Sequence, residues 1–301
     1  MELSGIEEAV SLAEQRWPGI SFRIAGNEAH GPCPICGQAD EDGFVLFEDG
    51  GFFCRPGGHT GWLDDDQPRR LTEAEITDLR LRQLERLARD QAKRLSALER
   101  MHRCTDHITY HKLMDAADRE YWYSQGIYDD AIDRYLLGTC YACPTDKERR
   151  PSYTIPVING GKLVNIRHRI IGATNGDKYR PHMAGLGNTL FDADHLYNGL
   201  PKVTIVEGEK KSIVVGQYGV NTVGIMGKAA FPAAWAVRFQ PFARVNVCLD
   251  PDARDRAVQI AKLFNGRGHL VTLPDKVDDF FLNGGTPELL QEFLRLAWRV
   301  D

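Results

Sequence analysis

The chain has 301 residues, of which 43% are hydrophobic and 26% are charged, and its formal net charge is −5. This composition is ordinary for a globular protein, and the length predicts about two domains. The chain contains no apolar run of about 18 residues, and its acidic N-terminus lacks the apolar core of a signal peptide. We therefore expect no membrane-spanning segment and a cytoplasmic location.

The first block, residues 1–63, is rich in glycine, cysteine and aromatic residues and predicts a small β-rich module. Its strongest signal is Cys33 and Cys36, a CxxC pair followed by Gly37. A second thiolate, Cys54, comes at the spacing expected for a zinc site. The fourth ligand is less certain from spacing: His59 is the better candidate, and His30 is the competitor. The pattern predicts one structural zinc ion bound by three cysteines and one histidine.

The second block, residues 64–102, begins with an acidic run and Pro68, and then continues without glycine or proline. Thr72 and Glu75 have the spacing of a capping box, so we predict one long helix from this point. Basic residues recur along it, at Arg80, Arg82, Arg86, Arg89, Lys93 and Arg94. We interpret the helix as a solvated linker, and a surface that follows DNA is the alternative.

The third block, residues 103–200, contains a predicted hairpin over 151–171 with Gly160-Gly161 as its turn. Four basic residues follow or lie within it: Arg167, Arg169, Lys178 and Arg180. Such residues suit triphosphate or template phosphates. This block also holds a second CxxC pair, Cys140 and Cys143. No partner pair follows at zinc spacing, so we do not expect zinc at these two. We interpret Cys104 and Cys248 as ordinary buried thiols.

In the fourth block, residues 201–301, apolar strands alternate with helices, which predicts a parallel sheet covered by helices. Carboxylates stand where these strands end, at Glu207, Asp250, Asp252, Asp278 and Asp279. Because the carboxyl ends of parallel strands share one edge, we expect these side chains to converge. Clustered carboxylates suit Mg²⁺ or Mn²⁺. Lys210, Lys211 and Lys228 add positive charge to the same block.

The segments VEGEKKS (206–212) and CLDPDARDRA (248–257) resemble the TOPRIM domain of DnaG-type primases, topoisomerases and some nucleases. HGPCPICG and FFCRPGGH resemble the zinc domain of bacterial and phage primases. The segments between LLGTCYACP and KYRPHMAGLGNTLF resemble the basic half of the primase polymerase domain, as found in phage proteins. The resemblance implies an α/β multidomain protein: a zinc ribbon (1–63), a charged linker helix (64–102), a basic subdomain (103–200) and a TOPRIM subdomain (201–301).

By this resemblance the protein is a DNA-directed RNA polymerase that makes short RNA primers on single-stranded DNA from ribonucleoside triphosphates. Glu207, Asp250 and Asp252 are the implied catalytic residues and bind Mg²⁺ or Mn²⁺, with Asp278 and Asp279 as further ligands. Nucleotide and template contacts are expected from Arg167, Arg169, Lys178, Arg180, Lys210 and Lys228. The chain contains no Walker P-loop, which favours a separately encoded replicative helicase as partner.

Two other functions fit part of the pattern. A TOPRIM nuclease uses the same carboxylates for hydrolysis, so the acidic residues alone do not distinguish it. A RecR-like DNA-binding protein combines zinc with TOPRIM without catalysis. In such proteins the zinc motif closely precedes TOPRIM, whereas about 140 residues intervene here. The zinc module and the basic block favour the primase.

Overall fold

The structure is a computed structural model that describes residues 5–37, 42–64, 69–70, 72–173, 178–227 and 230–301. The chain divides into two compact units, Met1–Gln91 and Ala92–Asp301. Within the described residues, no helix combines the length and apolar character needed to cross a membrane.

The first unit is a small antiparallel sheet covered by one helix. Helix α1 (Ile6–Arg16) precedes six strands in sequential order: β1 (Arg23–Ala25), β2 (Glu28–Gly31), β3 (Phe44–Phe47), β4 (Gly51–Cys54), β5 (His59–Trp62) and β6 (Arg69–Arg70). Four aromatic rings fill its core, with Phe44 stacked on Phe52 at 5.3 Å and edge-on to Trp17 at 5.6 Å. Phe52 is therefore a core residue. Trp62 is half exposed.

Helix α2 (Glu73–Arg103) is the long helix that the sequence predicts. Its capping box forms as expected, because Glu75 N–H donates to Thr72 Oγ1 at 3.3 Å and Glu75 Oε2 accepts from Thr72 N–H at 2.9 Å. Its leucines at 79, 81, 84, 87 and 95 are exposed. Ala97 and Met101, near its C-terminal end, pack with Leu163, Ile166 and Leu186 of the second unit.

The first half of the second unit packs three helices against an antiparallel sheet. The helices are α3 (Asp106–Leu113), α4 (Ala116–Ser124) and α5 (Asp129–Arg134). The sheet has the order β10–β9–β8–β7, with β7 (Gly138–Cys140), β8 (Ser152–Asn159), β9 (Lys162–Ile170) and β10 (Tyr179–Pro181). Strands β8 and β9 are the predicted hairpin. Gly160 and Gly161 both have positive φ, at 59° and 69°, which explains the glycine pair at this turn.

The second half is the predicted parallel α/β sheet. Its order is β12–β11–β13–β14–β15, with β11 (Lys202–Glu207), β12 (Thr222–Ile225), β13 (Arg244–Cys248), β14 (Gly268–Leu270) and β15 (Trp298–Arg299). The first four are parallel, and β15 adds an antiparallel edge that the sequence did not predict. Helices α6 (Glu209–Gly216), α7 (Arg254–Lys262), α8 (Val277–Leu282) and α9 (Pro287–Leu296) belong to this half. Between β12 and β13, the residues Ala233–Phe239 form a 3-10 helix.

Parallel pairing places the carboxyl ends of β11 and β13 side by side, with Val206 opposite Cys248. Apolar side chains from both strands are fully buried, including Ile205 and Val247. The strand ends are thereby fixed by the core, and the polar residues that follow them share one edge of the sheet. The α/β multidomain fold class predicted from the sequence is confirmed.

Candidate functional site

The first unit brings together the four residues predicted to bind zinc. Cys33, Cys36, Cys54 and His59 offer ligand atoms that all lie within 4.8 Å of one another. The Sγ atoms of Cys36 and Cys54 are 3.6 Å apart. Two thiolates on one tetrahedral zinc ion, each at about 2.3 Å from it, are roughly 3.8 Å apart, so the spacing fits the ion.

The surroundings of the cluster also fit zinc. Gly57 N–H donates to Cys54 Sγ at 3.3 Å, a contact that stabilises a thiolate. His59 Nδ1 is buried and has no hydrogen-bond partner among the described residues, a state that metal ligation would resolve. Burial and the neighbouring thiols raise the pKa of Cys54 to about 12, and a bound cation would favour its thiolate form.

Local geometry favours His59 over His30 as the fourth ligand. A Cβ added at Gly57 would lie 2.5 Å from His59 Nδ1 and 3.2 Å from Cys36 Sγ, so glycine lets the loop close around the cluster. His30 is not a member of the cluster, and its Nε2 lies 3.5 Å from Glu28 Oε2. The structure supports zinc at a site of three cysteines and one histidine.

The second unit has a cleft of about 460 Å³ at the carboxyl edge of its parallel sheet. Acidic and basic side chains line it together. The acidic ones are Glu207, Glu209, Asp278 and Asp279, and the basic ones are Arg167, Arg169, Lys178, Lys210, Lys211 and Lys276. Glu207 ends β11, and Asp278 and Asp279 lie in the first turn of α8.

Lysines already contact two of the carboxylates that the sequence predicted as metal ligands. Lys210 Nζ lies 2.6 Å from Asp278 Oδ2, and both side chains are largely buried. Lys211 Nζ contacts Asp250 Oδ1, and Lys276 Nζ lies 3.7 Å from Asp250 Oδ2. Burial alone would raise the pKa of Asp278, but the ammonium of Lys210 holds that pKa below its ordinary value.

The predicted carboxylates do not form one compact ligand cluster. In the described part of the chain, no three of the predicted carboxylates bring ligand atoms within 4.8 Å of one another. Asp250 is buried and lines a smaller neighbouring pocket, and Asp252 is exposed in the short helix Pro251–Ala253. Asp278 Oδ1 is buried and has no hydrogen-bond partner among the described residues, so it is available to a ligand. A hard divalent cation fits such an oxygen.

The predicted basic residues fall on both faces of one strand pair. Arg167 and Arg169 lie on β9 and face the cleft, where Arg167 Nε is 3.2 Å from Glu209 Oε1. The guanidinium of Arg169 lies 5.1 Å from the centre of the Tyr121 ring. Arg180 of β10 pairs with His168 of β9, so it lies on the opposite face, and its Nη2 is 3.6 Å from Asp146 Oδ1.

Positive charge is dense where Lys178 enters the cleft. Desolvation, and then Arg169, Lys210 and Lys276, lower the pKa of Lys178. An anion placed among these groups would relieve their mutual repulsion, which is the electrostatic requirement of a phosphate site. Lys228, the last of the predicted contacts, lies outside the described residues.

Sequence reasoning missed two residues that line this cleft, Glu209 and Lys276, and one that contacts a lining residue, Tyr121. Glu209 lies within VEGEKKS, two residues after Glu207, and is 6% exposed. Its place in that segment could have singled it out, but its contact with Arg167 depends on the antiparallel sheet.

Neither a scan against protein-family models nor a sequence search among curated proteins gives a match. Solved structures do match. The zinc-binding and RNA polymerase domains of the Aquifex aeolicus primase give a TM-score of 0.54 at 17% identity, covering 99% of this chain and 87% of that one.

Two DnaG structures also match the fold. The DnaG primase catalytic domain bound to single-stranded DNA gives a TM-score of 0.54 at 18% identity, covering 69% of this chain and 83% of that one. The DnaG catalytic core gives 0.52 at 17% identity, covering 64% and 77%. This chain therefore has the fold of the DnaG-type primases, over both the zinc-binding and the RNA polymerase domains.

Proposed function

We propose that this protein is a primase, a DNA-directed RNA polymerase that starts short RNA chains on single-stranded DNA. The observation that carries the proposal is the cleft at the sheet edge, where buried carboxylates and six basic side chains line one space. Such a combination suits a reaction in which divalent cations and a triphosphate meet. The match to zinc-binding and RNA polymerase domains along 99% of the chain supports the same reading.

In this proposal the second half of the second unit is a TOPRIM subdomain, and its acidic residues hold the catalytic cations. Asp250, Asp252 and Asp278 would bind Mg²⁺ or Mn²⁺, with Glu207 and Asp279 beside them. When bound, these ions supply charge neutralisation for the triphosphate and lower the pKa of the attacking hydroxyl. Lys210 and Lys211 must then leave the carboxylates that they contact.

The displaced lysines have a role in the same step. A ribonucleotide 3′-hydroxyl attacks the α-phosphate, the bond from the α-phosphate to its bridging oxygen breaks, and pyrophosphate leaves. The hydroxyl proton passes to Glu207 or to solvent. Lys210, Lys211 and Lys178 lie where they can pair with the negative charge of the leaving pyrophosphate. Lys210 and Lys211 would thus neutralise the carboxylates before substrate binds and the phosphates afterwards.

Arg167 and Arg169 would hold the template or the triphosphate on the other wall of the cleft. Arg167 is fixed by Glu209, and Arg169 is fixed against Tyr121, so both guanidinium groups are positioned before a phosphate arrives. Arg180 faces away from this cleft and is assigned to the protein fold through its contact with Asp146. The zinc-binding unit would select the template, and a separately encoded helicase would deliver it.

One gel assay tests the proposal directly. The full chain is incubated with unprimed single-stranded DNA, labelled ribonucleotides and Mg²⁺, and the products are scored for short RNA and for DNA cleavage. Asp250→Ala should reduce RNA synthesis by about 10³-fold or more, because loss of a metal ligand removes several kcal/mol of transition-state stabilisation.

A matched control is Asp255→Ala, which removes an exposed carboxylate five residues away in α7. This variant should keep wild-type activity. Cleaved DNA without RNA would instead support the TOPRIM nuclease. DNA binding without either product would favour a RecR-like protein.

A further inference from the structure

A second cluster of metal-binding side chains lies in the second unit, away from the cleft. Cys104 follows α2, Asp106 is the first residue of α3, and His182 follows β10. Their ligand atoms all lie within 4.8 Å of one another. Two separate segments of the chain, the α2–α3 connection and the residue after β10, therefore bring a sulfur, an oxygen and a nitrogen atom close together.

A second histidine, His168, fixes the ring of His182 in this cluster. His182 Nδ1 is 3.0 Å from Nε2 of His168, and His168 Nδ1 is 2.9 Å from Ser152 Oγ. The two rings are stacked at 5.2 Å, and Tyr110 packs edge-on against His168 at 5.7 Å. His168 is completely buried. A histidine that binds a metal through one nitrogen commonly has its other nitrogen fixed in this way.

The other nitrogen of His182 points toward the rest of the cluster. Its Nε2 lies 3.4 Å from Asp106 Oδ2, and the His182 side chain is 13% exposed while that of Asp106 is 50% exposed. The backbone N–H of His182 donates to Ile166 O at 2.8 Å, which anchors the residue to β9. The cluster thus has a fixed inner wall and an outer side open to solvent.

We propose that Cys104, Asp106 and His182 form a second metal site, which binds Zn²⁺. Thiolate, imidazole and carboxylate are the three donor types that zinc accepts in proteins. Three protein ligands leave one tetrahedral position, which the exposed side of the cluster opens to a water molecule. In the bound state, His182 Nδ1–H donates to His168 Nε2, and His168 Nδ1–H donates to Ser152 Oγ.

The site has a structural consequence for the basic strand pair. A bound ion joins the start of α3 to the residue that follows β10, and β10 is hydrogen-bonded to the strand that carries Arg167 and Arg169. The ion would therefore fix the position of β10 on the face opposite the cleft. This inference does not depend on the proposed polymerase activity, because metal content is its readout.

A purely hydrogen-bonded cluster is the competing explanation. In that case His182 Nε2–H donates to Asp106, and Cys104 is an ordinary thiol. The test measures zinc per chain by mass spectrometry on the full-length protein, after equilibration in a buffer that fixes the free zinc concentration. We expect about two ions per chain, one at each site. One ion per chain in the wild type would overturn the proposal.

Variants assign the second ion. Cys104→Ser and His182→Gln should each lower the content from about two ions to about one, and should leave the ion of the first unit in place. His111→Gln is the matched control. His111 Nε2 also lies near a carboxylate, 3.6 Å from Asp133 Oδ1, but His111 belongs to no cluster of metal-binding side chains among the described residues. It should retain both ions. Retention of both ions by Cys104→Ser and His182→Gln would refute the assignment.

Cobalt gives a second readout that does not depend on stoichiometry alone. Co²⁺ bound at Cys104 should add thiolate-to-metal absorbance to that of the three-cysteine site. This added absorbance should be lost in Cys104→Ser and kept in His111→Gln. His168→Leu removes the support behind His182 and should weaken binding of the second ion roughly 10–100-fold. Circular dichroism on each variant separates loss of the ion from loss of the fold.

Discussion

The cysteine–histidine cluster of the first unit and the proposed catalytic cleft of the second unit are arranged in different ways. In the first unit, the ligand atoms of four residues already lie within 4.8 Å of one another, and glycine at position 57 keeps the space around them clear. In the second unit, the predicted carboxylates stand further apart, and lysines contact Asp278 in the cleft and Asp250 in the neighbouring pocket. A site that holds one ion permanently can have its ligands in place around that ion. A site that exchanges ions and substrates needs another positive group, here a lysine ammonium, to neutralise its carboxylates when the ions are absent.

The largest expected effect comes from removing a ligand of the zinc site in the first unit. Cys54→Ala should release the zinc ion and unfold the first unit, because structural zinc binding contributes about 10 kcal/mol or more to such modules. Metal analysis and circular dichroism measure both effects. If the first unit serves template choice, this variant should lose initiation on unprimed DNA and still extend a preformed primer. Full metal retention would contradict the ligand set.

Asp192, a partly buried carboxylate whose side chain is hydrogen-bonded to hydroxyl groups, extends the comparison. Asp192 accepts hydrogen bonds from Tyr135 at 3.1 Å and Ser212 at 3.4 Å, and burial raises its pKa to about 6. The folded state therefore binds a proton more tightly than the unfolded state, so stability falls as pH rises from about 4 to 6.

Asp192→Asn should remove that penalty, and it should stabilise the protein by about 2 kcal/mol at pH 8 and by little at pH 4. Asparagine tolerates the left-handed backbone at this position, where φ is 55°. Denaturant unfolding at the two pH values measures the difference. Equal stabilisation at both would show that the carboxylate is not the cause.

The smallest expected effect concerns Lys211, whose ammonium group neutralises Asp250. Lys211→Met should raise the affinity of the cleft for Mg²⁺ roughly tenfold, because the ion no longer competes with an ammonium for Asp250. Lys262→Met, an exposed lysine at the end of α7, is the control and should leave the affinity unchanged. Titration calorimetry gives both values. Weaker binding in Lys211→Met would mean that the lysine organises the ligands and does not compete.

What the sequence could predict follows from how local each feature is. The zinc ligands lie between residues 33 and 59, so spacing identified the three cysteines, whereas the fold was needed to choose His59 over His30. The parallel sheet was predictable because apolar strands alternate with helices, but the strand pattern did not give the separation of Asp250 and Asp252 from the other carboxylates. The lysine contacts were not predictable, because which oxygen Lys211 reaches depends on how α6 packs against β11 and β12.

The antiparallel sheet shows the same limit. Arg167, Arg169 and Arg180 look alike in the sequence, and the register of β9 with β10 separates them onto two faces. The cluster of Cys104 and His182 joins residues almost eighty positions apart, and its two halves carry no motif. Such features depend on tertiary contacts, so they require the folded structure.

The exposed surface of α2 has a consequence for local unfolding and proteolysis. Its leucines at 79, 81, 84, 87 and 95 remain exposed, and the boundary between the two compact units lies at Gln91, within the same stretch. The hydrogen bonds of such a stretch open locally at low cost, because no core is lost when they break. Its arginines and lysines would then be the first trypsin cleavage sites, and digestion should release the two units as separately folded fragments.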